Sequence, residues 1–91
     1  MVVIIVESVP TQLRGLLTRW FIEPKAGVFV GSVSARVREL VWQEGVAKVR
    51  TGHAVLVRRS DNEQGFLVLT HGDSRREVVD IGGLQLVRFR S

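Results

Sequence analysis

Glu7, His53, His71 and a set of arginines are the side chains of this 91-residue chain that could do chemistry. Glu7 closes an unbroken apolar run, Val2-Val3-Ile4-Ile5-Val6, and Pro10 follows shortly after. A carboxylate at a strand tip could help hold magnesium, which takes one or two carboxylates plus substrate phosphates. No second acid lies near Glu7 in the sequence, so such a site would need a second copy to complete it. The structural alternative is that Glu7 caps helix N–H groups or pairs with a nearby arginine. His53 and His71 stand at no metal-ligand spacing from each other or from an acid on a helix. They read as strand-end histidines. Arg14, Arg36, Arg75 and Arg76 could form a phosphate-binding track, since guanidinium binds phosphate bidentately. Arg75 and Arg76 are adjacent in a loop that Gly72 opens. The alternative is a solvated basic surface. The sequence has no glycine-rich phosphate loop, nucleophile elbow or zinc signature.

Composition narrows the classes. The net charge is +4 and the isoelectric point near 11.1. Of 13 basic residues only Lys25 and Lys48 are lysine. A small arginine-rich domain is a candidate for nucleic acid, although an arginine-favouring genome would leave the same mark. The absence of cysteine excludes disulfides and thiolate metal sites. An apolar fraction of 45% argues against disorder. Length predicts one domain, 1–91, small enough that pairing with a second copy would help its stability. Met1 leads into a short apolar run without a basic flank, which reads as neither a signal peptide nor a membrane span.

The elements that must position these residues follow in order. Residues 2–7 read as a strand buried on both faces, because β-branched residues run without alternation. Pro10 suits the first position of a helix. Leu13, Leu16, Leu17, Trp20 and Phe21 recur at helical spacing, and Pro24 would end that helix near Ile22 or Glu23. Gly15 inside it implies close approach of a neighbouring backbone. Gly27 to Gly31 reads as a short strand. Ser34 is an N-cap for a second helix, with Val37, Leu40 and Val41 inward and Arg36, Arg38 and Glu39 solvated. That helix ends between Glu44 and Val49. Strands follow at 53–58 and 66–70, joined by the turn Ser60 to Gly65. A polar loop at 72–77, a turn at 80–83 and a last strand, 84–89, complete the chain. Helices interleaved with strands predict an α+β sandwich with helices on one face of a sheet.

The segment Ala26-Gly27-Val28-Phe29-Val30-Gly31-Ser32-Val33-Ser34-Ala35-Arg36-Val37-Arg38-Glu39 closely resembles a signature of the type I-E branch of CRISPR-associated protein 2. Members of that family are the small partners of the CRISPR integrase in spacer acquisition. Glu7, Val9-Pro10, Leu13-Arg14-Gly15, Trp42, Gly65-Phe66, Arg75-Arg76 and Gly83-Leu84-Gln85-Leu86-Val87 match in order, so the resemblance covers almost the whole chain. It implies a ferredoxin-like fold and a cytoplasmic homodimer with facing sheets. Such a fold needs a hairpin between its helices, where the sequence shows one clear strand. That stretch is either one long bent strand or two short ones. The resemblance further implies that the C-terminal strand (84–91) docks through Leu84, Leu86, Val87 and Phe89. Its targets would be the mate's sheet and the integrase.

The family divides between magnesium-dependent nucleases and a scaffold that bridges integrase dimers and holds the duplex to be integrated. Glu7 stands where many nuclease-like relatives have aspartate, which disturbs an octahedral magnesium geometry. The expectation is therefore a non-catalytic scaffold that needs no cofactor and contacts double-stranded DNA through Arg14, Lys25, Arg36, Arg75 and Arg76. Gln12 stands where relatives in this branch can carry arginine. The alternative is a magnesium-dependent endonuclease with Glu7 as a ligand at the dimer interface.

Overall fold

Five β-branched residues in a row favour an extended chain, and Val2–Val6 forms the central strand, β1, of a five-stranded antiparallel sheet. The computed structural model describes residues 1–49, 52–72 and 75–90. After β1 come α1 (Thr11–Leu17), β2 (Ile22–Lys25), β3 (Val28–Gly31), α2 (Ala35–Glu44) and a 3₁₀ turn over Val46–Lys48. Then come β4 (Ala54–Arg59), β5 (Phe66–His71), β6 (Arg76–Ile81) and β7 (Leu84–Phe89). The sheet order is β2-β3-β1-β4-β5, and β6 and β7 pair separately as a hairpin. Apart from the 3₁₀ turn, the elements from β1 to β4 are therefore a βαββαβ ferredoxin-like unit, extended by β5 and the hairpin. Asp73, Ser74 and Ser91, which belong to the 72–77 loop and the 84–91 segment, lie outside the described residues.

Both helices cover one face of the sheet. Val2, Ile4 and Val6 of β1, Phe29 of β3 and Ala54 and Leu56 of β4 point into that layer. They meet Leu13, Leu17 and Phe21 from the α1 side and Val41, Trp42 and Val46 from the α2 side. The opposite face carries Val3, Ile5, Val28, Val30, Val55 and Val57, which the register sets side by side. Ile5 is 46% exposed, so within one chain β1 is buried on a single face. Side chains alternate across a strand, and the helices lie on one side only.

The region between the helices holds two strands, which meets the ferredoxin-like requirement. The first helix stops at Leu17, and Pro24 lies in β2 instead of ending the helix. Thr18 turns its hydroxyl back to the Arg14 carbonyl at 2.9 Å and closes α1. Proline is tolerated in β2 because that strand is a sheet edge, with a register shift between Ile22 and Lys25. Phe21 still reaches the core past the helix end, whereas Trp20 and Leu40 face outward. Pro10 is the N-cap of α1, not its first helical residue. A Cβ at Gly15 would meet open space, so no neighbouring backbone explains that glycine. The close approach lies at Gly45, where a Cβ would come within 2.8 Å of the Val41 carbonyl and 2.9 Å of Leu16. Ser34 does cap α2, accepting from the Val37 N–H at 3.2 Å. Arg38 is largely sunk rather than solvated: its side chain is 17% exposed, and its buried Nε has no hydrogen-bond partner among the described residues.

The 72–77 segment also differs from a simple loop, since Arg76 and Glu77 open β6. Val78 pairs with Val87 and Glu77 with Arg88 across the hairpin. Charges interrupt the alternation of β6, and its partner strand supplies the order that its own pattern lacks.

Candidate functional site

The sheet brings Glu7, His53 and His71 together at one end. β1 delivers Glu7, His53 immediately precedes β4, and His71 ends β5. The Glu7 N–H donates to the His53 carbonyl at 2.9 Å, and the Glu7 carboxylate meets His53 Nε2 at 2.5 Å. The expected helix cap or arginine partner of Glu7 is thus replaced by a histidine. His71 Nε2 lies 2.9 Å from the Val49 carbonyl, which can only accept, so that nitrogen carries a proton. These side chains line an open pocket of about 620 Å³ with Ala47, Val49, Gly52 and Gly72.

The backbone around this pocket is crowded. Ser8 adopts a φ of 60° beside Glu7, a left-handed conformation that costs a non-glycine residue energy. Gly52 has a φ of +76°, and a Cβ there would stand 2.6 Å from the Glu7 carbonyl oxygen. The convergence of Glu7 with two histidines was invisible to spacing arguments because it depends on strand pairing. The signal was that both histidines fall at strand ends.

A single carboxylate already engaged by imidazole is not the oxygen-rich set that magnesium selects. Among the described residues no group of three His, Asp or Glu side chains gathers to hold a metal. One chain therefore offers magnesium a single carboxylate at this tip, and the other oxygen ligands would have to come from a second copy or a substrate. Glu7 and His53 make a hydrogen-bonded acid–imidazole pair at a strand tip.

The arginines are spread over several elements. Arg14 on α1 is tied to Glu23 of β2, with Nε at 3.0 and 3.3 Å from the two carboxylate oxygens and Nη2 at 3.3 Å. Glu23 also accepts from the Gly27 N–H at 2.9 Å. The Gly27 N–H and the Arg14 guanidinium hold its carboxyl below the ordinary carboxylate value. Arg14 is therefore a partly neutralised cation. Lys25 ends β2 and is exposed, as are Arg36 in the first turn of α2 and Arg75. Arg76 lies over the Phe89 ring at 4.4 Å, within reach of a cation–π contact.

The apolar residues of the last strand divide between two faces. Val87 and its cross-strand partner Val78 line a groove of about 650 Å³ beside Val55, Val57 and Val68 of the sheet. Phe89 shares the Val87 face. Leu84 and Leu86, paired with Ile81 and Val79, point the other way. One flat partner surface cannot touch all four residues. Alternation made this division readable, but a hairpin partner had to be recognised first.

A family model described as CRISPR-associated protein (Cas_Cas2CT1978) matches residues 1–86. The match spans both helices, all five strands of the sheet, β6 and the first half of β7. The chain belongs to this CRISPR-associated protein family.

Proposed function

We propose that the protein is a non-catalytic dimeric scaffold of CRISPR adaptation, of the type I-E kind, that holds a DNA duplex by its phosphates. Family membership supports a role in CRISPR adaptation broadly. The observation that carries the scaffold reading is the pairing of Glu7 with His53, which occupies the carboxylate a nuclease would use for metal. The binding surface is then the basic one. Arg36 and Arg75 are exposed cations, with Lys25 at the β2 edge, and Arg14 joins them when a phosphate competes with Glu23. A second copy covers the open face of the sheet, and the integrase docks on the C-terminal hairpin.

Phosphate contacts dominate affinity without reading sequence, and each one contributes about 0.9 to the slope of log affinity against log salt. The double substitution Arg36→Ala/Arg75→Ala in a dimer removes up to about four contacts. It is expected to weaken duplex binding at moderate salt and to flatten that slope. Unchanged affinity and slope would sink the phosphate reading. The nuclease alternative is tested by incubating RNA and duplex DNA with magnesium, comparing the wild type with Glu7→Gln. The scaffold reading expects no cleavage by either protein. Cleavage lost only in the variant would establish the alternative.

A further inference from the structure

Helix α1 has little of its own to fix its direction. It spans only seven residues, and its N-cap, Pro10, makes no side-chain hydrogen bond. The chain reaches it from β1 through Glu7, Ser8 and Val9. The Arg14 N–H donates to the Pro10 carbonyl at 3.0 Å, so the first bond of the helix ends on this turn. Where Arg14 stands therefore depends on how the turn is held.

The turn is not relaxed. Ser8 has a φ of 60°, a region that disfavours any residue with a side chain. Released, it would return to a negative φ and swing the helix that follows. The segment leading into β4 opposes this. The Glu7 N–H donates to the His53 carbonyl at 2.9 Å. His53 Nε2 meets the Glu7 carboxylate at 2.5 Å, and because a carboxylate only accepts, that nitrogen is the donor. A Cβ on Gly52 would stand 2.6 Å from the Glu7 carbonyl oxygen and 3.6 Å from the Ser8 Cβ. Gly52 and His53 thus press against the turn from the β4 side. The cost of one left-handed residue and the worth of one hydrogen bond to a carboxylate are of similar size, so the bond is strong enough to decide the conformation.

We propose that Glu7 and His53 clamp the β1–α1 turn in its left-handed form and thereby position Arg14 for a phosphate. This rests on the phosphate reading given above. Glu7 and His53 are positioning residues: they act through Arg14, and Ser8 is the strained joint between clamp and helix. The acid at the strand tip then has a use that involves no metal.

The test uses His53→Ala, which deletes the imidazole, and His53→Gln, whose side-chain amide donates to Glu7 in its place. Duplex affinity is measured against salt beside Arg14→Ala. Arg14→Ala removes one phosphate contact per protomer and lowers the salt slope by up to about 1.8 in a dimer. His53→Ala is expected to lower it in the same direction, and His53→Gln to restore it. The double variant His53→Ala/Arg14→Ala loses no more than Arg14→Ala alone, because both act on one contact. A wild-type slope in His53→Ala, with a reduced one in Arg14→Ala, overturns the positioning role. A wild-type slope in Arg14→Ala sinks the phosphate contact at Arg14 instead, and stability then decides the clamp. Ser8→Gly relieves the left-handed residue, so it raises the unfolding midpoint of the wild type. In His53→Ala the turn has already relaxed, and that gain disappears. An equal gain in both backgrounds overturns the clamp. Should His53→Ala not fold, Glu7→Gln replaces it. A neutral acceptor weakens the bond without deleting it, so the salt slope and the glycine gain both fall part of the way, and wild-type values of both overturn the proposal.

Discussion

Glu23 illustrates how one side chain can govern both a turn and the charge of the proposed binding surface. Its carboxylate ties Arg14 of α1 to the Gly27 N–H at the β2–β3 turn. Because the folded-state carboxyl titrates below 4.5, this interaction stabilises the fold fully above that pH. The stabilisation is lost as the pH falls through the lowered folded-state value. Wild type should therefore exceed Glu23→Gln in stability at neutral pH, and the gap should close below pH 4.5. Denaturant titrations across that range check the sign. The same substitution releases Arg14, so duplex affinity at low salt should hold or rise. At this scale the sequence was only partly legible. The acid of Glu7 stood out because it ends an apolar run. Its partner His53 is 46 positions away, and only the pairing of β1 with β4 brings the two together.

The elements show why some boundaries could be read and others could not. Ser34 announced α2 because its hydroxyl has one obvious local use, and the turn before Phe66 was equally explicit. Asn62 there accepts from the Gly65 N–H at 2.8 Å. The spacing predicts too long an α1, because Phe21 keeps helical spacing to Leu17 while belonging to the chain beyond the helix. Pro24 compounded this, since proline marks an edge strand as readily as a helix end. The second strand between the helices and all of β6 were obscured by charged residues on partly exposed strands. Gly15 gives a direct test at this scale. It sits in α1 with nothing near its missing Cβ, so Gly15→Ala should stabilise the protein by about 0.5–1 kcal/mol. Thermal or chemical unfolding reads the gain, and a loss of stability would show that the helix surface is not free.

At the level of the molecule, the α+β class and the ferredoxin-like core were accessible because interleaved helices and strands leave few compact arrangements. An unbroken β-branched run predicts burial of both faces of β1, yet Val3 and Ile5 lie on the open side of the sheet. A continuous run of aliphatic residues is reconciled with an open face if another copy covers it, as the proposed scaffold requires. Ile5→Asp would then place a charge at the centre of that interface. Sedimentation should show a dimer for the wild type and a monomer for the variant, with the fold retained by circular dichroism. An unchanged dimer would move the interface elsewhere. The most direct test of the central claim is duplex binding measured against salt concentration for the wild type and Arg36→Ala/Arg75→Ala. The scaffold account predicts a steep linear fall in log affinity with log salt for the wild type and a visibly shallower one for the variant. Superimposable lines, or binding insensitive to salt, would contradict it.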